Sequence, residues 1–201
     1  GDGFASRAEI PGTPYSGEVV LQDFIRAHDF LTSVSVVEGE VGPQGMYPYL
    51  TKRLEPIARR IFADPKVEPA THTFSHPFFW EPEKASQREG FTAEYGMNMV
   101  IPNYPTMNLE REIVGSRDYI QRELLPAGKQ VRLIFWSGEA LPSAEAIGMA
   151  YAAGMANVNG AETFITRANP SLTGLYPLLR PTSGGLQIYA PIINENLYTN
   201  L

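Results

Sequence analysis

Val67-Glu68-Pro69-Ala70-Thr71 runs without a break into His72-Thr73-Phe74-Ser75-His76. The first five residues are short and largely apolar, the pattern of a parallel strand covered on both faces. The next five place two of the chain's three histidines four positions apart, directly after that strand. On a helical turn, side chains at this spacing lie on one face, and imidazole nitrogen is a preferred ligand for zinc and its first-row neighbours. A zincin protease is excluded, because that motif needs a glutamate immediately after the first histidine and Thr73 stands there. Any third ligand and any catalytic base must come from elsewhere in the chain, with carboxylates the natural candidates.

Further β-rich runs at residues 33–37, 131–136 and 187–192 have the same short, apolar character. Between them the period changes to that of a helix. Leu50, Leu54, Ile57, Ala58 and Ile61 form one stripe, and Leu109, Ile113, Ile120 and Leu124 another. Asn108 is placed to cap the second stripe, Glu110 and Glu112 sit in its first turn where the helix dipole favours negative charge, and Pro126 and Gly128 end it. Helices are also expected over residues 18–31, with His28 inside, and 143–153, closed by Gly154. Strand and helix alternate along the chain, which predicts an α/β architecture with a parallel sheet whose ligands gather at the carboxyl ends of strands. His72, His76 and the run Trp136-Ser137-Gly138-Glu139 fall at such ends.

Composition narrows the function classes. A chain of 201 residues, 43% hydrophobic and 19% charged, buries one substantial core. The net charge of −6 and pI near 5.1 argue against nucleic acid or an anionic membrane as partner, and no basic cluster exceeds Arg59-Arg60. Absence of cysteine excludes a thiolate nucleophile, a thiolate-bound metal and disulfides. No apolar run has the roughly 20 residues needed to span a bilayer, so membrane insertion is not expected. Residues 81–107 and 159–184 break the alternation; the first, Pro- and Gly-punctuated and directly after the histidines, is expected to cover the strand-end cleft.

Taken in order, Gly1-Asp2-Gly3-Phe4, His72-Thr73-Phe74-Ser75-His76, Trp136-Ser137-Gly138-Glu139 and Asn194-Glu195-Asn196-Leu197-Tyr198-Thr199-Asn200 resemble the polysaccharide deacetylases of the NodB-homology type, in particular the branch acting on the Pel exopolysaccharide. The likeness spans essentially the whole chain. It implies a single domain, residues 1–201, folded as a distorted (β/α) barrel, cut from a longer multidomain protein with its first strand truncated. It also implies a metal site of Asp2, His72 and His76 holding Zn2+, with Co2+ or Ni2+ also suited to two nitrogens and one oxygen. The implied reaction is hydrolysis of the acetamide of an N-acetylhexosamine polymer, rich in N-acetylgalactosamine, during export of a biofilm matrix. Its setting would be periplasmic, beside other exopolysaccharide export proteins.

Against this pattern the base aspartate is expected one position before Gly1, which would leave the chain catalytically crippled unless Asp2 acts as base. No histidine follows His76, so the acid candidates are Glu139, Glu195 and Tyr198. Trp136 stands where relatives carry an orienting arginine. Trp136, Ser137 and Trp80 are the substrate-binding candidates, an indole face beside a metal site being a good platform for a sugar ring. Metal occupancy is expected to fall below about pH 6, near the ordinary histidine pKa of about 6.5. A second reading of the same residues is a non-catalytic carbohydrate-binding module that retains the metal cleft.

Overall fold

The structure is a computed structural model that describes residues 12, 14–81, 99–161 and 177–191. Six strands, β1 (Thr32–Val36), β2 (Val67–Thr71), β3 (Leu133–Phe135), β4 (Ala156–Ala161), β5 (Leu178–Thr182) and β6 (Gly185–Pro191), make one sheet in the order β1-β2-β3-β4-β6-β5. All neighbours are parallel except β5 and β6, which form an antiparallel hairpin with Thr182 opposite Gly185. The expected α/β architecture with a largely parallel sheet is therefore present. Among the described residues the sheet is open, with β1 and β5 at its edges.

The helices are α1 (Ser16–Val19, continuing as wider π-type turns over Val20–Ile25), α2 (Glu38–Val41), α3 (Thr51–Ala63), α4 and α5 (Ala144–Ala152). Helix α4 is itself composite, with π-type turns at Arg111–Gly115 and Ile120–Leu124 flanking an α turn at Ser116–Tyr119. Because β1 to β4 lie side by side in chain order, right-handed crossovers put the connecting helices on one face of the sheet. The contacts agree with that winding: α1 touches α3, α3 touches α4, and α4 touches α5. The core lies beneath this row, where Leu54, Ile57, Ile61, Phe62, Ile113, Ile120, Leu124 and Ile147 meet Val36, Val67 and Ile134 of the strands.

Local chemistry explains the boundaries. Ser143 caps α5 by accepting from the Ala146 amide at 3.1 Å, and Asn108 caps α4 by accepting from Arg111 at 2.8 Å. Pro69 sits inside β2, where proline is costly because it lacks a ladder donor. It is tolerated because pairing to β3 begins only at Ala70. The first helix ends sooner than residues 18–31 suggest, so His28 lies beyond it in a turn against Phe24 and Phe30. β4 and β5 carry no sequence expectation. In β4 two asparagines interrupt the apolar run, and both are buried and bonded: Asn157 accepts from the Trp136 indole at 3.0 Å, and Asn159 donates to the Trp136 carbonyl at 2.7 Å.

Candidate metal centre

β2 delivers the His72–His76 loop at its carboxyl end, and the His72 amide still donates to Val36 of β1 at 2.9 Å. The two imidazole rings then stand 4.8 Å apart, edge to face. His72 is half-buried, and its Nδ1 contacts the Phe135 carbonyl at 2.9 Å. A carbonyl oxygen can only accept, so Nδ1 carries the proton and Nε2 keeps its lone pair. Burial, reinforced by the neighbouring His76, lowers the His72 pKa to about 4 against the pull of that carbonyl. The ring is therefore neutral and oriented at physiological pH, as a metal-ligating histidine requires. The metal-free His72 ring thus stays neutral well below the ordinary histidine value of about 6.5.

The loop is strained and heavily tied. Thr73 and His76 have φ of 72° and 54°, and a β-branched residue rarely adopts such a value. The Thr73 amide donates to Thr71 Oγ1 at 3.0 Å, the His76 amide to Thr73 Oγ1 at 3.2 Å, and the Thr73 carbonyl accepts from Glu38 at 3.0 Å. Below it Glu112, fully buried in α4, accepts from the Phe74 and Ser75 amides at 2.9 and 2.8 Å and from the Ser75 hydroxyl. Arg111 spreads over the Phe74 ring, 3.6 Å from its centre, while forking onto Glu38 at 2.8 and 2.6 Å. Each charge-assisted bond of this kind contributes about 1.5–3 kcal/mol, enough together to hold two positions that cost about 1–3 kcal/mol each.

The β3 end is fastened to the same loop. Gly138 and Ala140 have φ of 62° and 53°. The Glu139 amide donates to the Phe78 carbonyl at 2.9 Å, and Ser137 Oγ donates to Pro77 at 2.6 Å. From β6, Gln187 Nε2 and the Tyr189 hydroxyl both donate to the Ala140 carbonyl, at 2.7 and 3.1 Å.

These contacts correct the expected sugar platform. Trp80 and Trp136 are 0% and 2% exposed, pack edge to face on each other at 4.6 Å, and spend their indole N–H groups on Ser137 and Asn157. The Ser137 hydroxyl is buried and committed to a backbone carbonyl. All three residues are structural clamps. Glu139 is half-buried at the rim of the β3 loop, placed there by its own backbone.

Asp2, Glu195 and Tyr198 lie outside the described residues, as do most of residues 81–107 and much of 159–184. Among the described residues no third His, Cys, Asp or Glu joins the histidines in a metal-holding group. What the structure does assemble is a two-nitrogen half-site: oriented, kept neutral at His72, and placed at a strand end. Its donor set fits zinc and its neighbours provided a carboxylate completes it. Glu112, Glu38 and Arg111, which position the loop, are not visible as such in the sequence, since a carboxylate in a first helical turn reads as a dipole partner. Comparison with known proteins adds no relative: no family model, no curated protein and no solved structure matches the chain.

Proposed function

We propose that the chain is a metal-dependent N-deacetylase of an N-acetylhexosamine exopolysaccharide, Pel-like and rich in N-acetylgalactosamine, working in the periplasm with other export proteins. The observation that carries the reading is His72: neutral, with its Nδ1 proton on the Phe135 carbonyl and a second imidazole 4.8 Å away. The one-faced winding of β1 to β4 supports a distorted (β/α) barrel of the deacetylase type.

In this reading His72 and His76 hold Zn2+, or Co2+ or Ni2+, with Asp2 as the carboxylate ligand. When bound, the cation supplies Lewis-acid polarisation of the acetamide carbonyl and a more acidic water. The chain's own residues do the rest. The clamped loops fix the two imidazoles without reorganisation, the buried Trp80–Trp136 pair braces the β3 loop through the Trp80 indole N–H on the Ser137 carbonyl, and Glu139 is the acid candidate whose loop is described, beside Glu195 and Tyr198.

The test is acetate release from an N-acetylgalactosamine oligomer by zinc-loaded protein, with and without chelator. His72→Ala and His76→Ala should each lose bound zinc, counted by elemental analysis, together with activity. Stoichiometric zinc in either variant refutes the ligand assignment. Oligomer binding with no acetate released under any metal returns the non-catalytic carbohydrate-binding reading instead.

A further inference from the structure

Three consecutive residues of β4 hold Trp136 at three different atoms. The indole N–H donates to Asn157 Oδ1 at 3.0 Å, the Trp136 amide to the Val158 carbonyl at 3.4 Å, and the Trp136 carbonyl accepts from Asn159 Nδ2 at 2.7 Å. Alternation along the strand sends the Asn157 and Asn159 side chains to one face of the sheet, and the β4–β6 register, with Val158 opposite Ile188, puts Gln187 on that same face. Gln187 is fully buried there. Its Nε2 donates to the Ala140 carbonyl at 2.7 Å and lies 3.4 Å from Asn159 Oδ1, while its Oε1 accepts from Arg180 Nε of β5 at 2.7 Å. Asn157 Nδ2 donates in turn to the Leu186 carbonyl at 3.0 Å.

Three buried amides are a costly way to fill space that apolar side chains would fill with no desolvation penalty. Their position accounts for them. The residue before Trp136 is Phe135, whose carbonyl accepts the Nδ1 proton of His72 at 2.9 Å. The Phe135 carbonyl and the Trp136 amide belong to one planar peptide unit, so whatever fixes Trp136 also fixes the direction of the Phe135 oxygen. That oxygen decides which ring nitrogen of His72 carries the proton and which keeps a lone pair. The sheet ladder alone holds the unit weakly, because 3.4 Å from the Trp136 amide to Val158 exceeds the usual range of about 2.7–3.2 Å. The shorter bonds from the two asparagine side chains supply the missing restraint.

We propose that Asn157 and Asn159, backed by Gln187, are positioning residues that set the tautomer and orientation of His72 through the Phe135–Trp136 peptide. As a device for presenting a metal ligand this rests on the deacetylase reading, but as a device for holding one tautomer of His72 it does not.

The experiment reads the tautomer directly. With three histidines in the full chain, heteronuclear NMR of histidine-labelled protein in chelator at about pH 7 follows each ring, and wild-type His72 should be protonated at Nδ1 alone. Asn159→Leu, which keeps the bulk and removes the hydrogen bonds, should mix the two tautomers and weaken zinc binding about tenfold in a competition titration. Ile147→Val, a buried change in α5 that touches no hydrogen bond, should lower the melting temperature and leave both readouts unmoved. Should circular dichroism show Asn159→Leu unfolded, Asn159→Ser, whose hydroxyl is too short to reach the Trp136 carbonyl, is read in the same way. A folded variant of either kind that keeps the wild-type tautomer overturns the proposal, as does an Ile147→Val that mixes the tautomers equally. A mixed tautomer with zinc binding unchanged, or with none in the wild type either, overturns His72 as a metal ligand and leaves the positioning role standing.

Discussion

A histidine kept neutral by burial makes stability depend on pH in a defined direction. The folded pKa of His72 is about 4, below the ordinary 6.5 of an unfolded chain. Between those values the unfolded state binds a proton that the metal-free folded state does not, so stability is complete above about pH 6.5 and declines as pH falls towards 4. The loss attributable to this ring is at most about 3 kcal/mol. Urea midpoints of metal-free wild type and His72→Gln, followed from pH 7 to pH 4, should converge as the wild type loses that increment; parallel curves would contradict the burial of the ring. Glu112 gives the second prediction at this scale. Glu112→Ala strips the acceptor from three buried donors and should destabilise the fold by about 3–5 kcal/mol, with zinc affinity falling alongside; unchanged unfolding would mean the loop is held without it. The histidine pair was legible in the sequence because spacing and strand position are local. Glu112 was not, since its partners lie 37 and 38 residues away and only the fold brings them together.

At the scale of elements, glycines separate what the loops need from what they merely tolerate. A Cβ on Gly138 would meet the Phe78 backbone at 2.3 Å, in addition to the strain of φ 62°, whereas Gly128, at φ 88°, has nothing within 4 Å. Gly128→Ala should therefore cost only about 1 kcal/mol, the left-handed penalty alone. Gly138→Ala should cost several times more and should separate the two strand-end loops, as thermal unfolding of the pair would show. A similar cost for both would mean that the Phe78–Glu139 seam is loose. β2 matches its sequence-read limits because all of its residues but the exposed Glu68 are buried and it runs directly into the histidine loop. β4 was missed because its buried asparagines satisfy the indole and backbone of Trp136, polar pairs that periodicity cannot distinguish from a loop. The same cause misled the reading of Trp136: a tryptophan at a strand end is ambiguous until its N–H finds a buried partner.

Across the whole molecule, apolar surface is distributed unevenly. Phe24 and Phe30, 47% and 46% exposed, cluster with His28, and Leu31 is 84% exposed directly before β1, an edge strand among the described residues. An apolar patch beside unpaired backbone invites association, so Leu31→Lys should reduce concentration-dependent light scattering while leaving the melting temperature within about a degree. Scattering that is unchanged would place the sticky surface elsewhere. Chain order within the sheet carries a consequence of a different kind. β5 and β6 are joined by two residues, while each parallel pairing from β1 to β4 must wait for an intervening crossover to close. Loop closure is fast for near neighbours in sequence and slow for distant ones. The hairpin is the part of the sheet able to assemble first, as a template on which β4, β3 and then β2 with its histidine loop arrive late. In pulsed hydrogen exchange during refolding, amides paired between β5 and β6 should gain protection before those of Ala70 and Ile134. The half-site would then be among the last places in the molecule to exist.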